Sequence, residues 1–153
     1  MAKAVSFCGI VILFVSLFCS CNISLAGQLP EWASGYPRNS GNMSQVMVGV
    51  NQGTFAYIDI SSVTVDVYDP PYYQITGLIM LVKDDNVVTE FYCQWKYVWS
   101  EYVYDRKMYE LSNDIWQYIP MRDMPHAFWR SRVGGEIAWW SCYGMDFYGN
   151  PSK

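Results

Sequence analysis

The chain has 153 residues, of which 52% are hydrophobic, 18% aromatic and 16% charged, and its net charge is −4. An acidic chain of this composition lacks the basic footprint of a nucleic-acid binder. Its length suits one domain.

Taken in order, residues 1–26 read as a secretory signal peptide. Lys3 gives a positive start, Val5 to Phe18 is an apolar run of about 14 residues, and Ser24-Leu25-Ala26 ends in small residues suited to cleavage. A membrane-spanning helix needs about 20 apolar residues, so this run is a leader rather than a span. Cleavage after Ala26 removes Cys8, Cys19 and Cys21 and sends Cys93 and Cys142 to an oxidising compartment. The protein is then exported, as a periplasmic, secreted or cell-surface domain. The alternative is lipidation at Cys21, which alone would bring membrane contact; Phe18 and Cys19 stand where that signal wants a small aliphatic and a small residue. All seven Trp and all thirteen Tyr follow the leader.

Residues 27–45 hold Pro30, Pro37 and a Gly/Ser-rich stretch from Ser34 to Gly41, and read as a flexible or loosely docked N-terminal arm. Asn42-Met43-Ser44 is a glycosylation sequon if the source is eukaryotic. From residue 46 to 149 the pattern is that of a single domain. Val46 to Val50 and Thr54 to Ile60 flank Asn51-Gln52-Gly53 in the manner of a hairpin. Val63, Val65 and Val67 alternate with Thr64, Asp66 and Tyr68, the period of a half-buried strand, which Asp69-Pro70-Pro71 must stop. Gln74 to Val82 is apolar on both faces and predicts a central strand. After the turn at Lys83-Asp84-Asp85-Asn86, Val87 to Trp99 puts Cys93, Trp95 and Tyr97 on one face and Gln94 and Lys96 on the other. Tyr102 to Leu111 and Ile115 to Ile119 follow, around Ser112-Asn113-Asp114.

The last segment changes period. After Gly134 and Gly135, Glu136 to Tyr148 predicts a helix that is apolar nearly all round, with Gly144 in its middle at a cost of about 1 kcal/mol relative to Ala. Trp139, Tyr143 and Phe147 recur every four residues and form a ridge. The ridge is covered by the Arg122 to Arg132 loop through Phe128 and Trp129, or serves as a self-association or partner surface, or is core of the monomer. These five aromatics are the candidate interface residues. Cys93 and Cys142 both face inward and are expected to form a disulfide. The fold class is α+β, an antiparallel sheet of five to seven strands with a C-terminal helix packed on one face.

Motifs for chemistry are sparse. His126 is the only histidine and has no nucleophile elbow around it, and two cysteines with one histidine do not make a zinc cluster. Arg122, Arg130 and Arg132 read as a solvated loop. No catalytic residue, metal site or cofactor is assigned.

Short runs carry a resemblance: Ala56-Tyr57-Ile58-Asp59-Ile60-Ser61-Ser62-Val63, Arg106-Lys107-Met108-Tyr109, Trp116-Gln117-Tyr118, Gly135-Glu136-Ile137-Ala138, and Tyr143-Gly144-Met145-Asp146-Phe147-Tyr148-Gly149. These resemble small exported proteins of anaerobic bacteria, and the layout is similar to the bacterial surface-adhesin protein E family. The resemblance implies an antiparallel sheet with a helix and an activity of binding host surface or matrix proteins. It places no binding residue here. The leading functional expectation is therefore an exported, non-enzymatic binding domain recognising protein or glycan through exposed aromatics. The alternatives are a structural periplasmic or envelope domain without a discrete ligand and, last, an enzyme.

Overall fold

A computed structural model describes residues 29–150. The leader and Cys8, Cys19 and Cys21 lie outside them. Seven strands form one antiparallel sheet in chain order: β1 (Arg38–Asn39), β2 (Asn42–Asn51), β3 (Thr54–Asp69), β4 (Tyr72–Lys83), β5 (Asn86–Val98), β6 (Lys107–Ser112) and β7 (Ile115–Ile119). One helix, α1 (Trp129–Tyr143), packs on one face. This is the expected α+β class.

The hairpins sit where the turn residues put them. Asn51 pairs with Thr54 around Gln52-Gly53, Lys83 with Asn86 around Asp84-Asp85, and Ser112 with Ile115 around Asn113-Asp114. All six central residues have positive φ, so both positions of each two-residue loop twist with the strands they join. Pro70-Pro71 ends β3, since neither residue can donate to a ladder.

The strands are longer than their partners allow, and the excess corrects two expectations. Val65 and Val67 are exposed rather than half-buried, because β2 pairs with β3 only as far as Asp59 and, among the described residues, no strand flanks the outer edge beyond it. At the other corner, β6 pairs with β5 only from Trp95 to Val98, and a bulge between Leu81 and Val82 pairs Val87 with Val82, so Val87, which strict alternation puts on the face of Cys93, is 53% exposed while Cys93, Trp95 and Tyr97 are buried. Within the segment expected to be an arm, β1 pairs with β2, Ala33 is fully buried, and Trp32 Nε1 donates to Asp146 Oδ1 at 2.9 Å. Apolar burial of Leu29, Trp32 and Tyr36 against the core docks it.

The helix starts seven residues earlier than Glu136 and stops before Gly144. Gly134 and Gly135 do not break it; they let it approach the sheet. A Cβ on Gly134 would stand 3.0 Å from the Trp95 ring, and one on Gly135 would be 2.6 Å from Met108 Sδ. Gly144 is the terminator: φ 65° and ψ 22° place it in the left-handed region, and its N–H donates to Trp140 O at 2.8 Å. Phe147 therefore lies beyond the helix, on a tail that folds back onto it. Ser131 to Trp139 are buried without a gap, so the helix is covered on every side. No helix among the described residues is long and apolar enough to cross a membrane.

Candidate functional site

The residues expected at an interface separate into core and rim. Trp139 is 2% exposed and Phe147 0%, at the centre of an aromatic cluster. The Trp139 ring is stacked on Trp99 at 5.5 Å and lies 5.1 Å from Tyr73, 5.0 Å from Tyr97 and 4.9 Å from Phe147. The ridge is thus internal, and strands β4 and β5 and the tail cover it rather than the Arg122 to Arg132 loop. Tyr143 is half-buried beside Trp139 at 4.3 Å. Phe128 and Trp129 are half-buried at the opposite end of the helix, where they frame its entry.

Arg130 and Arg132 belong to the first turn of α1, not to a loop. Arg132 is 2% exposed and bonds Glu136 one turn on, a buried ion pair. The Glu136 carboxylate also accepts from the Phe147 N–H at 3.1 Å and the Tyr148 N–H at 2.8 Å, while Arg132 Nη2 donates to Gly149 O at 3.3 Å. This staple holds the tail on the helix. Burial raises the Glu136 pKa above its ordinary value, against the opposing pull of Arg132 and the two N–H donors.

Cys93 and Cys142 do not pair; both thiols are free. Cys93 Sγ donates to Glu110 Oε1 at 2.7 Å, and the same carboxylate bonds Ser131 Oγ and lies 3.4 Å from Arg130. Cys142 stands eleven residues past Ser131 on one helix, about 16 Å along it at 1.5 Å per residue, beyond the reach of a disulfide. The inward period of both positions was right, but they face different ends of the core. Burial pushes the Cys142 thiol up to about 12, with Asp66 adding to it, and burial and Glu110 push Cys93 up further. Neither is a ready nucleophile.

Two surfaces remain for function. The first is the sheet face away from α1. Register places Gln74 beside Lys96, Lys96 beside Tyr109 and Tyr109 beside Tyr118, with Tyr92 and Gln94 preceding Lys96 on the same side of β5. Trp116 lies two residues before Tyr118 on that side. Tyr92 is 69% and Tyr118 49% exposed. Lys96 Nζ lies 5.1 Å from the Tyr109 ring centre and 4.7 Å from that of Trp116, and Tyr109 and Tyr118 meet edge to face at 5.6 Å. The wet side of β5 is legible in its alternation, whereas the gathering of rings from β6 and β7 around Lys96 needs the register.

The second is a cleft of about 620 Å³ on the helix side, between the β2–β3 hairpin, Lys83 and the entry to α1. It includes His126, Trp129 and Arg130, which the sequence singles out for other reasons, and Lys83 from a distant segment. Among the described residues no group of three or more His, Cys, Asp or Glu could hold a metal ion.

No family model matches the chain, and no curated protein or solved structure matches it either.

Proposed function

We propose that the protein is an exported, non-enzymatic binding domain that recognises a glycan on the open face of its sheet. The carrying observation is the array of Tyr92, Tyr109, Trp116 and Tyr118 around Lys96 on a face that α1 does not cover. Rings with an apolar body and a polar tip suit the C–H faces of sugars, and the amides of Gln74 and Gln94 between them can bond hydroxyls. A protein partner would favour a continuous apolar centre; here the Tyr109 and Trp116 rings are set around the Lys96 ammonium, while the apolar cluster of Tyr57, Met80 and Val82 lies farther along the face beside Tyr92. The sheet fixes the spacing of the rings, so little order is lost on binding. The adhesin-like layout read from the sequence points to the same class of function.

A glycan array probed with the folded domain, followed by titration of the best oligosaccharide, tests this. Tyr92→Ala with Trp116→Ala should weaken binding at least about tenfold, a loss of about 1.4 kcal/mol, with the far-ultraviolet circular dichroism unchanged. Retention of no glycan, or equal binding by the double variant, overturns the reading. Capture of a host matrix protein free of glycan through the same residues would replace it with protein recognition.

A further inference from the structure

We propose that the cleft at the entry to α1 binds a small organic anion, a carboxylate or phosphate carried on an apolar or aromatic body, independently of the open face. The inference starts from a mismatch of charge. The chain as a whole carries −4, yet the cleft is lined by Lys83, His126 and Arg130 and by no aspartate or glutamate. The Lys83 ammonium and the Arg130 guanidinium come from two segments far apart in sequence and converge there beside the His126 ring, and an anion is what the shared field of the two cations selects.

The rest of the lining describes the remainder of the ligand. Val50, Ala56, Leu81 and Trp129 offer apolar surface, and Asn51, Gln52 and Thr54 supply amides and a hydroxyl at the hairpin. About 620 Å³ lies within the range of about 300–1,000 Å³ typical of small-molecule sites. Gly49 faces Arg130, and a Cβ there would come 3.4 Å from Arg130 Cβ, so the helix entry packs close against β2 on this wall of the cleft. Arg130 is anchored from behind, its Nη2 3.4 Å from Glu110, while its side chain remains 38% exposed. A guanidinium has about five donors, and this contact uses one nitrogen. The first turn of α1 carries no acidic residue and no side-chain cap, so the helix end adds potential of the same sign.

The cleft and the open face are on opposite sides of the sheet. Ala56 and Leu81 pair with each other two residues on from the Ile58–Ile79 pair that lies in the helix-side core. A ligand at one does not touch the other.

Calorimetric titration of the full chain with 1-naphthyl phosphate, 1-naphthoate and neutral 1-naphthol is the test. At least one anion should bind about tenfold or more tightly than naphthol, and added salt should weaken only the anion. Lys83→Gln, an exposed position at the end of β4, should weaken that anion about fivefold and leave naphthol unchanged, in line with loss of one charge-assisted contact. Tyr92→Ala and Trp116→Ala should change neither. The phosphate and carboxylate arms tell which headgroup is preferred, and binding of either above naphthol supports the site. No anion binding, equal affinity for naphthol, or an unaltered Lys83→Gln variant with native circular dichroism overturns it.

Discussion

On the helix side of β5, Trp95 and Tyr97 are buried completely, whereas on its other side Tyr92 is 69% exposed and Lys96 rests on the rings of Tyr109 and Trp116. The strand is the same and so is the residue type. What differs is the layer above. On one side Trp139 and Phe147 land on Tyr97, Trp95 Nε1 donates to Ser131 O at 3.0 Å, and Tyr97 Oη donates to Gly135 O at 2.8 Å. On the other side the rings of Tyr109 and Tyr118 meet edge to face and Lys96 lies over Tyr109 and Trp116, with no helix above them among the described residues. Aromatic content therefore divides by cover, into rings buried under the helix and rings left open on the far face, where binding is proposed.

The comparison breaks most sharply at Trp139. Replacing it by Ser removes the ring that joins Tyr73, Tyr97, Trp99 and Phe147, and should cost about 3–5 kcal/mol, as deletion of large buried side chains does. Chemical denaturation should show a large drop in midpoint; a variant of native stability would return the ridge to the surface.

An intermediate effect is expected at Glu136, the acid that fastens the tail. Its folded pKa is raised above the ordinary 4.5 by burial, so in that window the native state holds more proton than the unfolded chain. The contribution is fully present below the unfolded pKa and is lost as pH rises through the folded one. Wild-type stability should accordingly fall relative to Glu136→Gln as pH increases from below 4.5. Thermal melts of both proteins across that range check the sign, and an opposite slope would mean that Arg132 dominates the site.

The smallest effect belongs to the open face. Tyr92→Ser should change stability by no more than about 0.5 kcal/mol, the usual range for surface positions. A loss comparable to that of Trp139→Ser would show that the open rings are structural, and would remove the basis for binding there.

How much of this the residues announce differs from element to element. The two-residue turns at Gln52-Gly53, Asp84-Asp85 and Asn113-Asp114 were legible because their chemistry is local. So was the inward face of Cys93, Trp95 and Tyr97, which follows from a period of two. The helix boundaries were not. Gly134 and Gly135 look like breakers until Trp95 and Met108 are seen to occupy the space a Cβ would need, and Gly144 looks like a flaw inside a helix until it is seen to end one. Of the cleft, His126, Trp129 and Arg130 stand out singly in the sequence, but no local pattern links them to Lys83 or Gly49.

The chain by itself determined that the domain is an antiparallel sheet followed by a helix, since strand period, turn residues and a terminal apolar segment all act over a few residues. Only the tertiary structure decided which aromatics became core, which thiols stayed apart and where the cations gather. Those outcomes depend on where one helix lands on a twisted sheet, and that is set by the summed packing of residues far apart in sequence, chiefly Trp95, Met108 and Gly135, and by the Arg132–Glu136 staple that returns the tail.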